Sequence, residues 1–240
     1  MSARAAHAEG EGTVASGTRS HAEGYNTQAA GERSHAEGEG TVASGSFSHA
    51  EGEGAQAIGA QSHAEGHNTI AGASDRRAAH AEGEGCQAIG NMSHAEGLNT
   101  TVTINGWASH AEGNGTIASS GAQHVQGQYN IEDTATKYAH IVGAGNRNAE
   151  TDVITRKNIH TVDWSGNAWY AGDIKVGGSD YSSGTAVATK STVISLTLGA
   201  GTSTTSIAYD SSTTSYTLSN SAIKSTTIVE MIPSTTITAA

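Results

Sequence analysis

The chain has 240 residues, 31 of them Gly, with a single Phe, a single Pro and aromatic residues at 5%. So few large side chains exclude a conventional monomeric core, and the dominant Ala, Ser, Thr and Gly suit narrow, regularly stacked structures. A formal charge of −11 argues against a nucleic-acid binder, and no run of about 18 apolar residues offers a membrane-spanning helix.

The opening Met1-Ser2-Ala3-Arg4 runs straight into polar repeats, so no secretory leader is expected. The segment Ser-His-Ala-Glu-Gly then begins at Ser20, Ser34, Ser48, Ser62, Ser93 and Ser109, with variants at Ala6 and Ala79. The spacings of His7, His21, His35, His49, His63, His80, His94 and His110 are 14, 14, 14, 14, 17, 14 and 16 residues. The two longer units carry extra residues near Ser74-Asp75-Arg76-Arg77 and Thr103-Ile104-Asn105-Gly106-Trp107, and insertions in a stacked repeat belong at turns.

Each unit holds two short runs that alternate and end in Gly, such as Ser20-His21-Ala22-Glu23-Gly24 and Thr13-Val14-Ala15-Ser16-Gly17. Alternation predicts strand and terminal Gly predicts turn, so one unit is one coil of a solenoid with two strands of about five residues. Ser, Ala and Gly of the first run, and Thr or Ala, Ala and Gly of the second, are expected inside, because a coil this short admits only small side chains. The lone Cys86 excludes a disulfide framework or a Cys-rich zinc site and reads as one more small repeat residue.

The opposite face of the first run carries His7, Glu9, His21, Glu23, His35, Glu37, His49, Glu51, His63, Glu65, His80, Glu82, His94, Glu96, His110 and Glu112. So regular a polar face predicts contact with an equally regular surface, the same strand of two further copies around an axis. Interchain His–Glu pairs are expected there. Pairing would raise the His pKa values and lower those of Glu, giving greatest stability at mildly acidic to neutral pH.

The run Ala43-Ser44-Gly45-Ser46-Phe47-Ser48-His49-Ala50-Glu51-Gly52 resembles the head repeats of trimeric autotransporter adhesins. The resemblance covers residues 6–123 and implies a trimeric, left-handed parallel β-roll. That family usually has Val and Ile where this chain has His and Glu, so trimer packing here is expected to be polar.

After Gly121 the pattern changes. Asn158 to Asp173 alternates and predicts a hairpin turning at Ser165-Gly166-Asn167. Three stretches resemble the autoproteolytic chaperone domain of bacteriophage tail and neck appendages, similar to the peptidase G2 type. They are His124-x-x-Gly127-x-Tyr129-Asn130-x-x-Asp133, Tyr138-Ala139-His140-Ile141-Val142-Gly143 and Asp163-Trp164-x-Gly166-Asn167-Ala168-Trp169-x-Ala171-Gly172-Asp173. The resemblance implies help with trimer registration and, in some members, self-cleavage by acidic residues. The candidates are Glu132, Asp133, Asp163 and Asp173. Their ordinary reading is as turn and cap residues.

Residues 179–192 read as a linker, and the Ser/Thr-rich residues 193–240 alternate in a way that predicts about four strands. The domains expected are therefore 1–123, a β-roll; 124–178, a chaperone-like β domain; the linker; and 193–240, a β-rich tip. The fold class expected is all-β, a trimeric parallel β-roll solenoid followed by small β-rich modules.

No phosphate-cradling loop, calcium nonapeptide or nucleophile elbow is present, and no short single-chain zinc motif occurs, so neither metal nor cofactor is expected, with an ion on the axis as the alternative because imidazole and carboxylate are both competent ligands. The function expected is a homotrimeric fibre or receptor-binding protein of a phage or prophage tail, acting at the virion tail tip. Its partners would be itself, other tail proteins and a host-surface receptor such as a glycan, with no nucleic acid and no membrane insertion. The alternatives are a self-processing assembly domain, limited to single-turnover autoproteolysis, and a bacterial surface adhesin fragment.

Overall fold

The structure, a computed structural model, describes residues 5–172, 174–176 and 185–188. Chain contacts divide it into two units, Met1–Tyr170 and Ala171–Ala240. The second unit contributes one antiparallel pair among the described residues, Ile174–Val176 with Thr185–Ala188. The expected tip, 193–240, lies outside the described residues.

The first unit is all-β. Nine five-residue strands, from His7–Glu11 to His124–Gln128, stack in parallel, and eight two-residue strands, from Val14–Ala15 to Ile117–Ala118, form a second parallel sheet. Register is coil on coil: His21 lies beside His35, Ala22 beside Ala36 and Glu23 beside Glu37. The parallel β-roll expected from the repeat is what the chain forms.

One coil shows why this sequence folds this way. The long strand His21–Tyr25 ends at Asn26, whose φ of 53° reverses the chain. Asn and Gly recur at this corner because they accept left-handed backbone with least strain. The chain then buries Thr27, passes through the short strand Gln28–Ala29, and turns at Gly31. The turn is closed by Ser34, whose Oγ donates to the Gly31 carbonyl at 2.8 Å. Ala22, Thr27, Ala29 and Ser34 fill the interior and are essentially inaccessible. Corners are tied between coils as well, for example by Asn26 N–H to the Glu11 carbonyl at 2.8 Å and Gln28 N–H to Thr41 at 2.8 Å.

Two details differ from the sequence expectation. The second run pairs over only two residues, because it must enter from one corner and leave for the next within a single short side. The Gly closing the long strand is exposed rather than internal; it is required by close stacking. Gly38 has φ +104°, and a Cβ there would lie 2.1 Å from the Gly52 carbonyl oxygen.

Both longer coils insert their extra residues at the same corner, after the short strands Ile70–Ala71 and Thr101–Val102, leaving the sheets in register. Cys86 occupies the interior column otherwise held by Thr27, Thr41, Ala55, Thr69, Thr100 and Thr116, and is fully buried.

The far end of the roll is closed by residues 129–137. Asn130 takes the next place in the Thr column. Its Oδ1 accepts from Ile117 N–H at 2.7 Å and its Nδ2 donates to the Ile117 carbonyl at 3.0 Å, so the side chain stands in for the missing short strand. The core widens here from Ala to Val125 and Ile141. Strand Tyr138–Ala144 adds in parallel to His124–Gln128, and Asn158–Asp163 and Ala168–Tyr170 follow antiparallel. The last two form the expected hairpin around Ser165, Gly166 and Asn167.

Candidate functional site

The long-strand sheet presents its His and Glu side chains as a ladder. A parallel in-register sheet repeats about every 4.8 Å, so identical residues must stack. From His21 to His124 successive imidazole centroids lie 4.6–5.0 Å apart with interplanar angles of 1–7°. The column continues with tilted rings through His140 and His160 and ends on Tyr170, 4.5 Å from His160. His67 stands apart from it, beside Glu53 at 3.7 Å.

Five ladder carboxylates lie against the imidazole of the following coil, while Glu65 and Glu82 lie 3.8 Å from the imidazole of their own coil. Nε2 to Oε1 is 3.6 Å for His35–Glu23, 3.5 Å for His49–Glu37, 3.3 Å for His63–Glu51, 3.4 Å for His110–Glu96 and 3.3 Å for His124–Glu112. The pairing expected between chains is thus already present along one chain. None of these contacts is a hydrogen bond: Nε2 of His21, His35, His49, His63, His80, His94, His110 and His124 is shielded from solvent and has no partner. Among the described residues no Lys or Arg pairs with the ladder carboxylates; the arginine pairs are with Glu32, Asp75 and Asp152.

His49 and His94 are held below the ordinary histidine value, first by burial, then by the imidazoles on either side, against a smaller opposing pull from the nearby glutamates. His140 is lowered in the same way by burial, His124 and His160, with Glu112 opposing. Stacking like groups at strand spacing costs more than carboxylates on one flank return. In the single chain, His49 and His94 thus lie on the lowered side, opposite to the direction expected from pairing between chains.

The acidic candidates of the middle segment are not brought together as one group. The Glu132 carboxylate accepts from Ser119 Oγ at 2.5 Å. Asp133 is buried, and its Oδ2 accepts from Tyr138 N–H at 2.8 Å and Gln123 Nε2 at 3.1 Å while Oδ1 accepts from Ala135 N–H at 3.2 Å. Asp163 lies in the hairpin turn, taking donors from Ser165 and Asn167 at 2.9 Å. The Asn167 side-chain and backbone donors hold its carboxyl below the usual range. Asp173 lies outside the described residues.

Sequence reasoning missed Gln123 and Arg156, and it quoted Asn130 only within a family motif, without its role in closing the roll. Gln123 and Asn130 replace the usual Ser and Thr of a coil, and that departure is the signal that could have found them. Arg156 donates to the carbonyls of Gly115 and Asn130 at 2.9 and 3.1 Å, locking the closing loop to the roll, with no local sequence signal.

A roll of short coils with small interior residues and a histidine on every rung is a repetitive β-solenoid. In comparison with protein families, residues 8–27, 22–48, 36–55 and 50–71 match the YadA head domain repeat. Those head repeats point to a bacterial adhesin-like fibre. No curated protein and no solved structure matches the chain. Among the described residues no helix is long and apolar enough to cross a membrane.

Proposed function

We propose that the chain is a structural segment of a homotrimeric attachment fibre, with the His–Glu ladder as the face that meets its two symmetry mates. The observation that supports it best is the half-exposed face of His and Glu side chains repeated in register from coil to coil, a surface as regular as the same face of another copy. Two further copies would present the same polar groups at the same spacing, rung against rung. The match to the YadA head domain repeat supports the same arrangement. Sedimentation equilibrium of the purified chain should return three times the chain mass; a stable monomer at micromolar concentration would reject the proposal.

A finer reading places the fibre on a phage or prophage tail, with the virion tail tip as its site of action. It rests on the resemblance of residues 124–178 to the phage chaperone domain, which a bacterial surface adhesin does not require. Other tail proteins and a host-surface receptor would then be its partners, and any catalysis would be a single self-cleavage. Intact-mass measurement after purification separates the readings: a shortened chain supports self-processing, and a full-length chain leaves a passive fibre. Deleting residues 193–240 should keep the trimer and abolish host adsorption if the tip carries the receptor contact.

A further inference from the structure

We propose that the His–Glu ladder binds divalent transition-metal ions of the zinc class, one ion between two successive coils. The stack assembles five overlapping triads, namely His35, Glu37 and His49; His49, Glu51 and His63; His63, Glu65 and His80; His80, Glu82 and His94; and His94, Glu96 and His110. In each, two imidazole nitrogens and a carboxylate oxygen lie within 4.8 Å of one another.

Three observations favour an ion. The first is distance. Tetrahedral zinc with bonds of about 2.0 Å holds neighbouring ligand atoms about 3.3 Å apart. In the triads of Glu37, Glu65 and Glu96, Nε2 of His49 is 3.5 Å from Glu37, that of His63 is 3.8 Å from Glu65 and that of His110 is 3.4 Å from Glu96. The two imidazoles of a site are stacked 4.6–4.9 Å apart, so they must close by about 1.5 Å and tilt until both lone pairs meet the ion, a rotation about the side-chain torsions of these partly exposed residues. The second observation is valence: the imidazole nitrogens that would donate are the ones left without a hydrogen-bond partner. The third is charge. Carboxylates stacked in register along the sheet, with no Lys or Arg paired to them among the described residues, form a column of like charges that bound dications would offset. Mixed imidazole and carboxylate donors select zinc, cobalt, nickel or copper over magnesium or calcium.

Neighbouring triads share a histidine, and one Nε2 lone pair serves one ion. Alternate triads therefore fill, and the five overlapping sets accommodate three ions per chain: at Glu37, Glu65 and Glu96. The ligands all come from one chain, so the proposal stands whether or not the chain trimerises.

The test uses the full chain, stripped with chelator and titrated with zinc chloride by calorimetry, with cobalt as an optical probe. About three zinc ions per chain are expected, with the visible absorption of tetrahedral cobalt, and none with magnesium. Glu65→Gln keeps shape and removes the central carboxylate, so saturation should fall from three ions to two. Glu39→Gln, on the same strand sheet but in no triad, should leave three; circular dichroism verifies that both variants fold. Absence of saturable zinc binding, or an unchanged stoichiometry in Glu65→Gln, overturns the proposal.

Discussion

At the scale of single residues the roll separates positions that look alike. Gly38 and Gly40 are two residues apart, both with positive φ. A Cβ on Gly38 would overlap the Gly52 carbonyl, whereas nothing lies within 4 Å of one on Gly40. Asn fills the equivalent corner at Asn26 and Asn68 with φ of 53°. Gly38→Ala should therefore destabilise the roll by about 3 kcal/mol or more, and Gly40→Asn by no more than a few tenths, in urea unfolding. The lowered values of His49, His94 and His140 set the pH response of the metal-free chain. A histidine lowered by folding binds its proton more readily when unfolded. Its contribution is complete above about 6.5 and is lost as pH falls toward the lowered value. With chelator present, the melting temperature should decline from pH 7 to pH 5; a maximum on the acidic side would contradict this.

At the scale of elements, what was legible and what was not follow from one geometric fact. The 14-residue period and the small residues at alternate positions announce the coil, because nothing larger fits where Ala22 and Ala36 lie. Strand lengths were not legible, since pairing over the short side depends on how the two corners share it. The ladder was legible as a face, through His and Glu two residues apart. Its chemistry was not, because His49 and His63 become neighbours only by closing a coil, and motif searches look for ligands within a few residues. Closure at residues 129–137 was hidden for a similar reason: Glu132 and Asp133 read as candidate acids, and only the fold shows their oxygens receiving donors from Ser119, Gln123 and Tyr138. Asn130 gives this end its test. Asn130→Ala leaves the Ile117 N–H and carbonyl without partners at the end of the short-strand sheet. A loss of about 1–3 kcal/mol is expected, with faster hydrogen exchange at Ile117 and little change at Val42.

At the scale of the whole roll, stability is a sum of nearly identical layers, each touching only its neighbours. Such a stack has a hazard of its own. A chain, or a second copy laid beside it, that slips by one entire coil still finds His against His, Ala against Ala and Glu against Glu. The two enlarged corners remove that freedom. Because the spacings from His63 to His80 and from His94 to His110 are 17 and 16 residues while their neighbours are 14, a slipped stack would set a bulge beside a tight turn at two separate heights. The corners therefore act as index marks along an otherwise uniform ruler, leaving one alignment in which all the layers agree.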